Sequence, residues 1–292
     1  MNYPNTEKEV ILQKEYLAGF EEYLVEKECA SNTIKKYISD VKKFYGFLSG
    51  NLEISKERLI EYKKWLISKY SGSSVNSMLV ACNQFLDFLG LGRMKVRLLK
   101  IQRQLFLEEE KNLSRSEYLK LVNTARRKGK EQLALIMETI CSTGIRVSEL
   151  EYFTVSGVHR GKVNIWNKGK YRVIILPKKM QYRLLAYIKE QKIASGPIFR
   201  TRNGKAKHRS NIWREMKQLA CDAGIDPVKI FPHNLRHLFA RTFYQVTKNL
   251  VNLADILGHS NMEVTRIYTS DGLNIWKKNI NRLDLLGKKI TT

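Results

Sequence analysis

Residues 161–176, GKVNIWNKGKYRVIIL, are where the chain changes period. Val163 and Ile165 alternate with polar neighbours, Asn167-Lys168-Gly169-Lys170 turns the chain, and Tyr171, Val173 and Ile175 alternate again. Alternation on both sides of a glycine-containing turn predicts a β-hairpin with Lys168 at its tip, closed by Pro177, which cannot donate to a ladder. On either side the apolar spacing is helical. The fold class is therefore mainly α with one small β-hairpin.

Upstream of the hairpin, Ser114 or Ser116 caps a helix over SEYLKLVNTARRKG, and a largely apolar helix runs from Gln132 to Ser142 and stops at Gly144, as a C-terminal glycine should. Downstream, helices are separated by Ser195-Gly196-Pro197, Asn203-Gly204 and Asp226-Pro227. From Val10 to Leu89 the chain reads as four helices, with breaks at residues 31–33, 49–51, 71–74 and 90–92; Ile34, Tyr37, Ile38, Val41, Phe44, Tyr45 and Leu48 form the clearest stripe. Residues 91–112 hold no aligned stripe and read as an extended linker. The expected organisation is a helical domain over 1–92, a linker over 93–112 and a second domain over 113–292.

With 292 residues, 43% of them hydrophobic, each domain can bury its own core. The net charge is +24, at least three times the ~2–8 of an ordinary small domain, and calls for a polyanionic partner. Residues 1–105 carry +5 of it and residues 106–292 carry +19, so the second half faces most of the phosphates. Lys35, Lys36, Lys42 and Lys43 flank the stripe of the second helix, as a solvated face or as DNA-backbone contacts. Cys29, Cys82, Cys141 and Cys221 are more than fifty residues apart, which leaves reduced, structural thiols. The start of the chain lacks a basic apolar leader and no window approaches ~18 uninterrupted apolar residues, so a soluble, cytoplasmic protein without membrane partners is expected.

Three segments carry candidate chemistry. In FPHNLRH, residues 231–237, His233 and Arg236 stand three apart on one helix face, and Pro232 suits the first turn. A guanidinium and an imidazole at a helix N-terminus make a phosphate site, though a surface ion pair beside a core histidine has the same spelling. In STGIRVSEL, residues 142–150, Arg146 follows a glycine turn with Glu149 three residues on, either as a surface ion pair or as a phosphate ligand oriented by an acid behind it. In NLADILGHSNMEVTRIYTS, residues 252–270, a helix stops at Gly258, and Ser260 with Glu263 spells a capping box. Nine residues, about 900° of helix, separate His259 from Tyr268, so only the break at Gly258 lets both address one point. There is no GxxxxGK[ST], no HExxH and no carboxylate cluster suited to two magnesium ions.

These residues, in this order, resemble the tyrosine recombinases, the family of phage integrases and Xer-type resolvases. Residues 143–150 resemble the family's first arginine box, Lys168 its hairpin lysine, His233-Asn-Leu-Arg-His237 its HxxR box, and Leu257-Gly-His-Ser260 with Tyr268 its LGH-to-tyrosine box. Residues 31–37, SNTIKKY, are similar to the helical, SAM-like core-binding domain that precedes the catalytic one. The resemblance implies a C-shaped clamp on double-stranded DNA. Tyr268 would be the nucleophile, Arg146 and Arg236 the phosphate clamp, His233 the base, His259 a donor to phosphate oxygens, and Lys168 the acid that protonates the leaving 5′-oxygen. It also implies a 3′-phosphotyrosyl intermediate, no cofactor, and a homo-oligomer on DNA, a tetrameric synapse. Leu273, Trp276, Ile280 and Leu283, spaced 3, 4 and 3, would dock that tail on a neighbouring subunit or fold back on their own. A catalytically silent DNA-binding protein of the same fold and a type IB topoisomerase remain as alternatives.

Overall fold

The apolar stripes of the N-terminal third close into four helices, α1 (Tyr16–Glu26), α2 (Ser31–Phe47), α3 (Lys56–Lys69) and α4 (Gly72–Phe88). The computed structural model describes residues 10–11, 13, 15–48, 52–101, 112–167, 170–259 and 262–266. The chain divides into two units, Met1–Arg103 and Gln104–Thr292.

In the first unit, Ile34, Val41, Phe44 and Leu48 bury the predicted stripe of α2 against Leu59, Tyr62 and Leu66 of α3 and Leu79, Phe85 and Leu86 of α4. Phe20 of α1 meets Phe85 edge-on at 5.1 Å, and Phe44 meets Tyr62 at 4.9 Å. Helix α2 begins at Ser31 with Ala30 in the capping position, whereas α3 is capped by Ser55, whose hydroxyl accepts from the Arg58 N–H. Two short strands, β1 (Val10–Ile11) and β2 (Glu53–Ile54), pair antiparallel.

The segment read as an extended linker belongs, as far as Leu99, to this unit. Val96 is buried in its core. Asn83 of α4 donates to the Val96 carbonyl and accepts from its N–H, both at 3.0 Å; Asn76, two turns earlier, does the same for Leu99 at 2.9 and 2.7 Å. Lys56 and Lys63 donate to the carbonyls of Met94 and Arg97 at 2.9 and 2.7 Å. The strap is held chiefly by polar bonds to its backbone, which is why no apolar period marks it.

The second unit is built around α6 (Glu131–Thr143), whose Leu133, Ala134, Leu135, Ile136, Met137 and Ile140 are all buried, the mark of a central helix. Helix α5 (Arg115–Arg127) precedes it, and its start is a capping box in which Ser114 accepts from the Glu117 N–H and Glu117 accepts from that of Ser114. Gly144 ends α6 at φ +67°, and a Cβ there would sit 2.4 Å from a ring carbon of Phe239, so glycine is required twice over. A short 3-10 helix (Val147–Tyr152) and α7 (Val155–His159) lead into strands β3 (Lys162–Asn167) and β4 (Lys170–Ile175). Helices α8 (Lys178–Glu190), α9 (Arg209–Asp222), α10 (Pro232–Thr247), α11 (Leu250–Leu257) and α12 (Met262–Arg266) complete the described part. Among the described residues, no helix is long and apolar enough to cross a membrane.

The hairpin is present where the sequence puts it, but its second strand faces the other way. Val163 pairs with Ile174 and Ile165 with Arg172, and residues directly opposite share a face, so Ile174 and Leu176 go into the core with Val163 and Ile165. Tyr171, Val173 and Ile175 are exposed, Ile175 at 72%. The apolar stripe Leu273, Trp276, Ile280 and Leu283 lies outside the described residues.

Replacing Asn83 with alanine removes both bonds to Val96 and should lower the unfolding free energy by about 1–3 kcal/mol. The same substitution should also expose Lys95 and Arg97 to trypsin; a digestion rate equal to that of the wild type would mean that the strap is held by other contacts.

Candidate active site

A helix that starts at a proline leaves its first N–H groups aimed outward, and α10 starts so, with Pro232 in its first turn and Phe231 as cap. His233 and Arg236 share the face that this turn presents. The turn after Gly144 brings up Arg146, which stands immediately before the 3-10 helix. Arg146, His233 and Arg236, from segments some ninety positions apart, line one cavity of about 210 Å³ together with Ile145, Val147, Ser148 and Pro232.

Among the described residues, Arg236 is the largest fully buried side chain, 1% exposed. Its Nη1 donates to the Gly144 carbonyl at 2.5 Å and its Nη2 to the Leu257 carbonyl at 2.7 Å. Nη2 also lies 3.0 Å from His259 Nε2. A guanidinium only donates, so Nε2 must be the acceptor, and the His259 proton sits on Nδ1, which donates to the hydroxyl of buried Thr265 at 2.8 Å. With its lone pair engaged by Arg236 and its proton by Thr265, His259 braces Arg236.

The pair Arg146–Glu149 is not a surface ion pair. Glu149 is 1% exposed while the Arg146 side chain is 40% exposed. The buried carboxylate accepts the Arg146 backbone N–H at 2.7 Å and its Nη1 at 3.1 Å, and takes a further bond of 2.5 Å from Nη2 of Arg172. Arg172, on β4, is a residue that sequence reasoning passed over; its signal was the register, which sets it opposite inward-facing Ile165.

The imidazoles are held neutral. Burial, then Arg236 and Arg146, push His233 below the ordinary 6.5. Burial, followed by the same arginines, Arg172 and His233, brings His259 down to about 4. His237, edge-on to His233 at a centroid distance of 4.4 Å, is held by burial and its neighbours at about 3. It and Thr265 were also missed by sequence reasoning.

Beside the first cavity and sharing Val147, Pro232 and His233 with it, Arg209, Ser210, Trp213 and Arg214 of α9 and Phe231 line an open one of about 600 Å³. An exposed tryptophan between two arginines on an amphipathic helix was the available signal for this surface. On α2, Lys36 pairs with Asp40 and half-buried Lys43 lies 4.9 Å over the Tyr70 ring, while Lys35 and Lys42, seven apart, stay exposed. Lys168 and Tyr268, with the Ser260 cap, lie outside the described residues.

Residues 111–272 match the phage integrase family, and residues 17–91 match the N-terminal SAM-like domain of phage integrases. The chain belongs to the phage integrase family. It is 28% identical to the tyrosine recombinase XerA of Pyrococcus furiosus over 96% of this chain and 97% of that protein. It is also 28% identical to the tyrosine recombinase XerD of Vibrio cholerae serotype O1, over 84% of this chain and 87% of that protein. Among solved structures, XerA recombinase aligns over 94% of this chain and 99% of its own, with a TM-score of 0.51 and 25% identity. A lambda integrase dimer bound to a COC′ core site shares the fold at a TM-score of 0.71, 18% identity, and coverage of 91% of this chain and 79% of its own.

Because His237 and His259 exclude a proton that an unfolded imidazole accepts at 6.5, their contribution to stability is complete above pH 6.5 and is lost as the pH falls, through about 4 for His259 and about 3 for His237. Denaturant midpoints should therefore drop between pH 6.5 and 4.5, and His237→Phe should flatten that drop. A pH dependence identical in variant and wild type would contradict the assignment.

Proposed function

We propose that this chain cuts and rejoins duplex DNA through a 3′-phosphotyrosyl intermediate formed on Tyr268. As a member of the phage integrase family it is a site-specific DNA recombinase. The observation that carries the mechanistic reading is the convergence of Arg146, His233 and Arg236 on one cavity, with His259 bonded to the second arginine.

The chemistry follows from the residue types. The two guanidiniums neutralise the non-bridging oxygens of the scissile phosphate and favour the charge that grows in the transition state. A phenol of pKa ~10 needs help to ionise, and His233, kept unprotonated by burial and by two adjacent arginines, can take its proton. The Tyr268 oxygen then bonds to phosphorus as the bond to the 5′-oxygen breaks, and Lys168 gives that oxygen a proton. Attack by a 5′-hydroxyl from another strand reverses each transfer and reseals the backbone, with Tyr268 as the leaving group. The phosphodiester energy is conserved in the adduct, so no nucleotide is consumed. Glu149 keeps Arg146 aimed, and His259 keeps Arg236 in place.

Duplex DNA is the partner, and both units contribute basic side chains to it. Arg209, Arg214 and the exposed Lys35 and Lys42 supply backbone contacts, and strand exchange takes place within a homotetramer. The cytoplasm, where chromosomal DNA and reduced thiols coexist, is the compartment that suits it.

Duplexes enriched from a random-sequence library by binding to the full chain, then nicked near the site centre, give the substrate for the test. The wild type should form a covalent adduct that survives a denaturing gel. Tyr268→Phe should bind the same duplex and form none, and Arg236→Gln should lower the adduct rate by about 10²-fold or more. An adduct in Tyr268→Phe would show another nucleophile; no adduct from the wild type would make the chain a silent DNA-binding protein.

A further inference from the structure

Arg172 sits in the middle of β4 on the strand face that packs inward, where a guanidinium must find partners or destabilise the hairpin. Only 14% of its side chain is exposed. Nη2 donates to Glu149 Oε2 at 2.5 Å, and Nη1 donates to the carbonyl of Ile256 at 2.6 Å, in the last turn of α11. Its Cδ and Nη1 stand 2.9 and 3.0 Å from where a Cβ on Gly258 would lie, so the residue before His259 has room for a hydrogen and nothing larger. Glu149 in turn holds both the backbone and the guanidinium of Arg146. One side chain thus spans three segments: the hairpin that carries Lys168, the turn that presents Arg146, and the helix end that presents His259.

We propose that Arg172 is a positioning residue for strand cleavage, which fixes Arg146 and the His259 turn relative to the hairpin by bonding Glu149 and the Ile256 carbonyl at the same time. The proposal rests on the recombinase reading above. Two divergent donors on one rigid plane are what the task requires; a lysine keeps the charge but is a single point that reaches one partner at a time. The effect on rate is large because a shift of about 1 Å in a group that meets the transition state costs about 10²-fold.

The test uses the full chain and the selected, nicked duplex. Arg172→Lys, Arg172→Gln and Glu149→Gln should each lower the single-turnover rate constant of adduct formation at saturating duplex at least tenfold. The final adduct amplitude and the duplex Kd should stay within twofold of the wild type. The pair Arg172→Gln with Glu149→Gln should lose less than the product of the two single losses, because the two residues share the Arg172–Glu149 contact. Wild-type rate constants, losses that multiply in the pair, or a loss confined to amplitude or Kd would each overturn the proposal. Loss of the wild-type melting transition in Arg172→Lys would overturn it as well, since Arg172 would then hold the fold and not the site. If the wild type itself forms no adduct, it is the recombinase reading that fails, and the two failures are told apart by that one control.

Discussion

A guanidinium with almost no contact with water is the constraint around which the second unit is arranged. Burying a charge is costly unless polar partners surround it, and Arg236 meets that need with the carbonyls of Gly144 and Leu257 and with Nε2 of His259. Those carbonyls belong to the C-terminal ends of α6 and α11, where backbone acceptors lack intrahelical partners and the helix dipole is negative. Both helix ends are drawn to one side chain, and both must then turn sharply away, which accounts for left-handed glycines at 144 and 258. The turn after Gly144 delivers Arg146 and the turn at Gly258 delivers His259, so the solvation of one buried cation places the neighbouring groups.

The manner of that solvation gathers positive charge. None of the three partners named for Arg236 carries a formal charge, while Arg146 and Arg172 share the single carboxylate of Glu149. Three guanidiniums thus stand together beside a small cavity whose histidines are kept neutral. A phosphodiester brings one negative charge and gains more as a fifth oxygen approaches, so in the reaction proposed above this field would favour the transition state over the ground state. The histidines belong to the same electrostatic arrangement: the cations that would hold the phosphate are those that keep His233 unprotonated and able to receive a proton.

What could be read in the sequence was what depends on period and backbone geometry. The stripe of α2, the serine cap at 114, the proline start of α10 and the glycine stops at 144 and 258 all follow from local rules and stand in the structure. The spacing of Arg146, His233, Arg236 and His259 was legible too, because each sits at a turn whose chemistry the sequence spells. The inward face of β4 was not legible from its own residues, since Tyr171, Val173 and Ile175 alternate as convincingly as a core strand does. Only the pairing of Ile165 with Arg172 decides it, and register is a property of two strands together. The same reversal hid Arg172, a charged residue on the core side of the sheet. The role of His259 was obscured for a related reason: which nitrogen carries the proton depends on Arg236 and Thr265, and no residue type announces a tautomer.

The strap at residues 94–99 obeys a spacing rule of a different kind, one that hydrophobicity cannot express. Asn76 and Asn83 are seven apart on a helix, which sets their side chains about 10.5 Å apart along one face at 1.5 Å per residue. Val96 and Leu99 are three apart in extended chain, about 10 Å at 3.3 Å per residue. The two lengths agree, so each asparagine amide can bond the N–H and the carbonyl of one residue, as a neighbouring strand would. A helix face thereby serves as an edge strand for a segment that has no sheet to join. Arg172 applies the same device within the site, where a polar side chain of fixed geometry joins backbone and side-chain groups that are remote in sequence. Such joints are invisible to any reading based on apolar period, yet their spacing is strict, because a hydrogen bond tolerates an error of only a few tenths of an ångström.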